Sequence, residues 1–156
     1  MDAPALPIIW KESSDENRYE NERVHRIFNA IRPKRYPKAI VKATHHSHVQ
    51  EAVKLANELQ CRVSIRSGGH SWAAWSIRDD AILIDLGGLK EIEVDEDEGI
   101  VKASPSTTGV VLNDILRPKG LMFGGGHCPD VGIGGFLLQG GMGWNCKVWF
   151  FGLFRL

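Results

Sequence analysis

The chain is polar and charged from Met1 to about Arg35, but this segment contains one apolar pattern with a helical period. Val24, Ile27, Phe28 and Ile31 recur at spacings of three and four residues. That spacing places side chains on one face of an α-helix. The pattern therefore predicts a short helix within a polar segment that ends near Arg35.

Residues 39–66 predict a strand, a helix and a second strand in succession. Ala39–Ala43 is typical of a buried strand, and Arg62–Arg66 alternates polar and apolar residues. Between them, Ser47 and Gln50 have the spacing of a capping box, which predicts the start of a helix. The residues that share the apolar face of this helix are Val49, Ala52, Val53, Ala56 and Leu59. Two strands joined by a helix favour parallel pairing.

Three more strands are predicted in the middle of the chain. Ala81–Asp85 is an apolar run typical of a buried strand, and a further strand is predicted near Leu89–Val94. The acidic segment Asp95–Gly99 then joins it to a strand over Ile100–Ala103. Because the acidic residues lack the spacing of a calcium-binding loop, we expect this segment to be a solvated hairpin turn.

A second well-marked helix is predicted after the hairpin. Ser106 or Thr107 is of a residue type that caps helix N-termini, and apolar residues recur from Val110 to Leu116. Proline disfavours helical backbone at the residue before it, so the helix should end before Pro118.

Composition and charge are those of an ordinary folded domain. The 156 residues are 43% hydrophobic and 24% charged, which excludes a disordered or collagen-like chain. Nineteen Lys and Arg balance nineteen Asp and Glu, so the chain has no net field that would attract a phosphate backbone. We therefore expect no nucleic-acid partner.

Neither a membrane span nor a secretory signal is predicted. The longest apolar stretches, Val131–Leu138 and Val148–Phe154, are far shorter than the roughly 18 residues of a spanning helix. The N-terminal segment Met1–Pro4 lacks a basic region followed by an apolar one. We expect no membrane partner, and the cytoplasm is favoured only by default.

The cysteines and histidines predict no metal site. Cys61, Cys128 and Cys146 are odd in number and form no CxxC motif, which argues against a disulfide framework and a structural zinc site. The histidines of the segment His45–His48 are interpreted as exposed cap residues at the start of a helix, since no carboxylate cluster accompanies them.

The first candidate site is a short loop after the strand Arg62–Arg66. All seventeen glycines lie at or beyond Gly68, and the pair Gly68–Gly69 can take positive φ and direct N–H groups towards one anion. Arg66 adds a cation, Ser67 and Ser71 add hydroxyls, and His70 adds an imidazole. From the residues alone, a plain tight turn remains the alternative to a phosphate-binding loop.

The second candidate site is the glycine-rich stretch Gly124–Gly143. It contains Cys128, and its small residues would allow a bulky, flat ligand to approach the backbone. The alternative is a glycine-rich loop around a buried, inert cysteine, because only His127 lies nearby to make the thiol more reactive.

With these two motifs in this order, the sequence resembles flavin-dependent oxidases with a vanillyl-alcohol-oxidase or PCMH-type FAD-binding domain, in particular the berberine-bridge-enzyme-like branch. The resemblance runs from about Tyr19 to Trp149. Further segments that carry it are Arg32–Pro33, Pro37–Val41 and Val49–Val53. It implies an α+β fold, with a lead-in segment over residues 1–35 followed by a PCMH-type FAD-binding domain of two subdomains over residues 36–156 that is truncated at its C-terminus.

The resemblance also implies how FAD is held. In the family, the loop matching Ser67–Ser71 wraps the pyrophosphate, the histidine matching His70 is bonded to the flavin 8α-methyl, and in doubly linked members the cysteine matching Cys128 is bonded to C6. The segment matching Val131–Gly135 follows the ribityl and phosphate groups. The residues expected to bind FAD are Arg66, Ser67, Gly68, Gly69, His70, Ser71, Cys128, Val131, Gly132, Gly134 and Gly135.

The expected reaction passes a hydride from an organic substrate, such as an alcohol, a sugar or a secondary metabolite, to covalently bound FAD, which dioxygen reoxidises. Family members continue beyond Leu156 to complete the FAD domain and to add a substrate domain, and Phe150–Leu156 departs from the family pattern. The sequence therefore assigns no catalytic base. The alternative is a truncated, non-catalytic remnant or an FAD-binding module without turnover.

Overall fold

The computed structural model describes residues 5–13, 15–144 and 146–149. The chain divides into two compact units, Met1–Leu89 and Lys90–Leu156. They are called the first and the second unit below. The apolar segment Phe150–Leu156, which departs from the family pattern, lies outside the described residues.

A four-stranded sheet forms the centre of the first unit. Its strands are β1 (Ile8–Trp10), β2 (Ala39–Lys42), β3 (Val63–Arg66) and β4 (Ile82–Asp85), in the order β1-β2-β4-β3. β1 is antiparallel to β2, whereas β2 and β3 both run parallel to β4. The carboxyl ends of β2, β3 and β4 therefore lie at one edge of the sheet.

The position of β4 corrects one expectation about this sheet. The strands β2 and β3 are parallel, as expected, but they do not pair with each other, because β4 lies between them. All four residues of β4 are buried, which suits a central strand covered on both faces. Buried and exposed residues alternate along β3, which suits the edge position that it occupies.

The prediction of a helix over residues 24–31 is wrong. The first helix, α1 (Glu16–Val24), ends where that helix was expected to begin, and turns and irregular backbone follow it. Ile27 instead packs with Ala74 and Ile77 in a small buried cluster. Loop residues that pack into a core can thus produce a helical spacing by coincidence.

The second helix, α2 (His46–Glu58), lies where it was predicted, with two differences. Its N-cap is His45, whose Nδ1 accepts a hydrogen bond from the Ser47 N–H at 3.3 Å, rather than the expected capping box. Ala52 and Ala56 join the main core with residues of β2 and β4. Val53 and Leu59, expected on the same apolar face, are 41% and 38% exposed.

The histidines at the start of α2 differ in their surroundings. His45 and His46 are exposed, as expected for cap residues. His48 is buried instead, and its Nδ1 accepts a hydrogen bond from the Thr44 N–H at 3.3 Å. The histidine furthest into the helix therefore belongs to the packed interior of the first unit.

The second unit begins with the predicted hairpin. β5 (Ile92–Asp95) pairs antiparallel with β6 (Ile100–Ala103), and the Asp95 side chain accepts a hydrogen bond from the Glu98 N–H at 3.0 Å across the turn. Helix α3 (Gly109–Leu116) follows, and a 3-10 turn over Arg117–Lys119 continues from it.

Two short helices follow in the second unit, α4 (Ile133–Leu138) and α5 (Cys146–Trp149). Leu112 and Leu116 of α3 pack against Ile133 of α4, with side chains of the hairpin around them. The α-helical part of α3 ends before Pro118, as predicted. Its N-cap is Thr108 and not Ser106 or Thr107, because helical backbone begins only at Gly109.

These elements confirm the α+β fold class. The predicted boundary at residue 35 stays a prediction, while β1 pairs with β2 and α1 lies within the first unit. In the described part of the chain, no helix has both the length and the apolar character needed to cross a membrane.

Tyr19 allows a pH test of the first unit. Its hydroxyl donates to the Pro37 carbonyl at 2.7 Å, and its ring is packed with Ile9, Ile40 and Leu83. Burial raises the pKa of Tyr19 from 10.0 to about 12. Because the folded pKa exceeds the unfolded one, the neutral phenol stabilises the fold below pH 10 and this contribution is lost as the pH rises towards about 12.

We expect Tyr19→Phe to lower the free energy of unfolding by about 1 kcal/mol at pH 7, through loss of the hydrogen bond. Between pH 10 and about 12, the wild type should lose stability more steeply than the variant. Urea unfolding followed by far-UV circular dichroism measures both, with Tyr36→Phe as a control at a tyrosine that is 38% exposed. Parallel pH profiles for wild type and Tyr19→Phe would contradict this assignment.

Candidate functional site

A buried ion pair joins the carboxyl ends of β3 and β4. Arg66 and Asp85 are the last residues of these strands and lie opposite each other in the register. The Arg66 guanidinium donates to Asp85 Oδ2 from Nε at 2.9 Å and from Nη2 at 2.6 Å. The side chains of Arg66 and Asp85 are 0% and 3% exposed. The pair therefore lies within the first unit, directly before the glycine loop.

The same guanidinium also binds the end of α1. It donates to the Arg23 carbonyl at 2.8 Å and to the Glu22 carbonyl at 2.6 Å. Burial lowers the pKa of Arg66 from its ordinary value, and the charge of Asp85 offsets part of that effect. This side chain is therefore buried and hydrogen-bonded within the unit, and the expected role of Arg66 in holding a pyrophosphate stays a prediction.

A second arginine connects Asp85 to the loop. Arg26 donates from Nη1 to Asp85 Oδ1 and from Nη2 to the Ser67 carbonyl at 2.7 Å. Asp85 Oδ1 also accepts a hydrogen bond from the Gly87 N–H at 2.8 Å. One carboxylate thus fixes two guanidinium groups and, through Arg26, the first residue of the loop. Sequence reasoning missed Arg26, since a lone arginine after a helix carries no motif.

The backbone of the loop lies tightly against residues 26–28. Gly69 has φ of +73°, and a Cβ at this position would lie 1.8 Å from the Arg26 carbonyl oxygen. The Gly69 carbonyl in turn accepts a hydrogen bond from the Phe28 N–H at 3.4 Å. The expected positive φ is therefore present at Gly69, where close backbone approach also requires glycine.

The side chains of the loop lie in contrasting surroundings. The His70 ring is half-buried and stacks on Phe28, with centroids 4.0 Å apart and planes 14° apart. Ser71 Oγ accepts a hydrogen bond from the Trp75 N–H at 3.2 Å, so this hydroxyl supports the following turn. Ser67 and Gly68 are half-buried. The first unit thus brings Ser67–Ser71 together as one shaped loop.

The second glycine-rich stretch is held by contacts within the second unit. Gly126 and Gly143 form an isolated antiparallel bridge. A Cβ on Gly143 would lie 2.3 Å from the Gly125 carbonyl oxygen, and one on Gly141 would lie 2.2 Å from the Phe136 ring. Several of these glycines are therefore required by the packing of the unit itself, whatever ligand it binds.

Asn113 positions the start of this stretch. Its side-chain amide donates to the Phe123 carbonyl at 3.1 Å and accepts from the Phe123 N–H at 2.7 Å. The asparagine thus pairs with the backbone as a neighbouring strand residue would. No pattern in the sequence distinguishes this residue from an ordinary polar position on α3.

The structure divides the expected residues of the second unit into two groups. Cys128 and Gly135 are exposed, and a Cβ on Gly135 would meet only open space. Gly132 is buried as the N-cap of α4, and the Gly134 N–H donates to the Pro105 carbonyl at 2.9 Å. The half-buried Val131 uses its carbonyl to accept from the Gly109 N–H.

An open cleft of about 330 Å³ lies within the second unit beside Cys128. The rings of His127 and Trp144 meet edge to face there, with centroids 4.2 Å apart. The residues that line it are Gly109, Val110, Asn113, Arg117, Met122, Phe123, Gly124, Gly125, Gly126, His127, Pro129 and Trp144. Both chain neighbours of Cys128, His127 and Pro129, line this cleft.

Comparison with known families identifies the chain. A family model described as an FAD binding domain matches residues 37–151, which include both candidate loops. The chain belongs to this FAD-binding domain family.

Individual relatives agree with that assignment. The chain is 48% identical over 142 residues to the FAD-linked oxidoreductase nodO of Hypoxylon pulicicidum, which covers 91% of this chain and 32% of the relative. It is 33% identical over 123 residues to berberine bridge enzyme-like 14 of Arabidopsis thaliana, covering 76% of this chain and 23% of that protein.

A solved structure has the same fold. Wild-type BBE-like 1 of Physcomitrella patens superposes with a TM-score of 0.81 at 26% identity, covering 96% of this chain and 31% of that one. This likeness confirms the expected PCMH-type fold. The chain spans about a third of the length of nodO and of this structure.

The buried carboxylate provides a stability test of the first unit. Asp85→Asn removes the charge that neutralises Arg66, and breaking a buried pair in this way costs about 3–5 kcal/mol. Asp114→Asn is the matched control, because it breaks an ion pair with Arg117 whose side chains are 60% and 75% exposed. We expect the control to cost less than about 1 kcal/mol.

Urea unfolding followed by far-UV circular dichroism compares the two variants. If Asp85→Asn and Asp114→Asn lowered the free energy of unfolding equally, the buried pair would not have the structural role given to it here.

Proposed function

We propose that this chain is the FAD-binding part of an oxidoreductase, and that it binds the cofactor through the loop Ser67–Ser71 and through the stretch from Cys128 to Gly135. One observation carries the proposal: a glycine loop with positive φ at Gly69 is held rigidly at the carboxyl edge of parallel strands, within residues that match the FAD-binding family. Ligands of open α/β sheets bind beyond this edge.

The loop backbone is proposed to hold the pyrophosphate. N–H groups around a glycine of positive φ form a concavity that suits an anion. Arg26 donates to the Ser67 carbonyl and is itself held by Asp85, so the two residues together fix this backbone. Arg66 serves the same purpose, because it anchors Asp85 and the end of α1 to each other.

The geometry of the second unit suits the flat part of the cofactor. Gly135 leaves open space beside the start of α4, and Cys128 is exposed between two residues that line the cleft, His127 and Pro129. When bound, FAD supplies the redox chemistry: it accepts a hydride from an organic substrate and is reoxidised by dioxygen. The proposed substrate class is a small molecule such as an alcohol, a sugar or a secondary metabolite.

His70 and Cys128 are the proposed points of covalent attachment. His70 joins a ring nitrogen to the flavin 8α carbon, with loss of its N–H proton and of one methyl proton. Cys128 joins its sulfur to the flavin C6 carbon, with loss of the thiol proton and of the ring C–H proton. Each bond would release two electrons and two protons, which bound FAD would pass to dioxygen to form hydrogen peroxide.

A second candidate is an FAD-binding module without turnover. The observation that favours it is the coverage of nodO, since this chain matches 32% of that relative. The two candidates differ in hydrogen peroxide release. If the flavin-loaded chain released peroxide above the substrate-free background when mixed with a panel of alcohols and sugars, the module without turnover would be dismissed.

Acid precipitation tests the attachment residues. We expect the yellow colour and flavin fluorescence of the wild-type chain to stay in the pellet after incubation with FAD. His70→Ala and Cys128→Ala should each keep flavin through the other residue, and the double variant should release all of it into the supernatant. The matched control is the double variant His46→Ala, Cys61→Ala, which should behave as the wild type. Acid-stable flavin in the His70→Ala, Cys128→Ala protein would refute the assignment.

A further inference from the structure

The segment Arg26–Phe28 lies against the loop that contains His70. Its first residue binds the Ser67 carbonyl through the side chain and lies against Gly69 through its carbonyl. Its last residue, Phe28, donates its N–H to the Gly69 carbonyl. Three separate contacts therefore hold the loop backbone before any side chain of the loop is considered.

The Phe28 ring adds a contact of a different kind. It lies nearly parallel to the His70 imidazole, with centroids 4.0 Å apart and planes 14° apart. The Trp72 and Phe28 rings meet edge to face, with centroids 5.2 Å apart and an interplanar angle of 88°. A stack of this type covers one face of the imidazole and fixes the plane that contains both ring nitrogens.

The ring of Phe28 is also distinct from the packed interior beside it. Ile27 is 6% exposed and forms a buried cluster with Ala74, Ile77 and Val24, to which Phe28 does not belong. Phe28 is half-buried, and the ring contacts that the structure gives it are with His70 and Trp72. The Phe28 ring therefore packs against His70 and Trp72 rather than in this buried cluster.

We propose that Phe28 is a positioning residue for flavin attachment, because it holds the His70 imidazole in the orientation from which a ring nitrogen reaches the 8α carbon. This inference rests on the proposed function, in which His70 forms that bond. A bond-forming step depends steeply on alignment, and a misplacement of about 1 Å can slow it by about a hundredfold. Attachment should therefore be far more sensitive to Phe28 than FAD binding is.

The test measures attachment and binding separately in the Cys128→Ala background, where His70 is the proposed point of attachment. Phe28→Leu removes the aromatic face but keeps an apolar side chain, and Phe28→Tyr restores the face. Tyr36→Leu is the matched control, an aromatic residue of the first unit whose ring lies against Arg23 and Lys11 and away from the loop. Each chain is incubated with FAD, and acid-stable flavin is followed with time.

Three further readouts separate positioning from general damage. The Kd for FAD is measured by flavin fluorescence in chains that also carry His70→Ala, the Tm is measured without flavin, and the NMR shift of the His70 Cε1 proton reports the ring current of Phe28. We expect Phe28→Leu to slow attachment by about tenfold to a hundredfold, with the Kd changed less than about threefold and the ring-current shift lost. Phe28→Tyr and Tyr36→Leu should attach flavin at nearly the rate of their Cys128→Ala parent.

The contrary outcomes are distinguishable. Attachment by Phe28→Leu at the parental rate would overturn the role of Phe28 alone. Slower attachment with an equally weakened Kd, or without rescue by Phe28→Tyr, would reduce Phe28 to a structural residue and overturn the proposal as well. Absence of acid-stable flavin in the Cys128→Ala parent would overturn attachment at His70 and this role together.

Discussion

The first unit depends on one buried carboxylate. Asp85 ends the central strand of the sheet, and it accepts hydrogen bonds from Arg66, Arg26 and the Gly87 N–H. Buried charges are stabilised only when their ion pairs and hydrogen bonds have good geometry. Such a cluster therefore has little freedom to move. The Arg66 guanidinium also binds the Arg23 carbonyl at the end of α1, and the Arg26 guanidinium binds the carbonyl of Ser67, the first residue of the glycine loop. The shape of the proposed cofactor loop thus follows from the neutralisation of Asp85.

Much of the strand structure could be predicted because each strand carries its own pattern. Local periodicity and turn residues were enough to predict the buried strand β4 and the hairpin around Asp95–Gly99. The order of the strands was harder to predict, because β4 lies between β2 and β3, which follow each other in the sequence and are joined by α2. The false helix at residues 24–31 has a related cause. The apolar residues from Val24 to Ile31 have a helical spacing, but Ile27 and Phe28 pack against the loop that follows β3.

The candidate site was predictable in its location and less so in its chemistry. The glycines that mark both loops are visible in the sequence, and a resemblance to known flavoproteins gave them a ligand. A cation beside a glycine loop, however, has the same sequence signature whether it meets a phosphate or a buried carboxylate. Arg66 meets the carboxylate. The roles of Asn113 and Phe28 could not be predicted, because they depend on contacts with distant residues, which no local pattern records.

The cofactor is proposed to be fixed at His70 in the loop Ser67–Ser71 and at Cys128, and peptide mapping tests this assignment most directly. The chain is incubated with FAD, denatured and digested, and each flavin-bearing peptide is sequenced by tandem mass spectrometry. We expect flavin on the peptides that contain His70 and Cys128. Flavin on a peptide lacking both residues, or full recovery of free FAD, would contradict it.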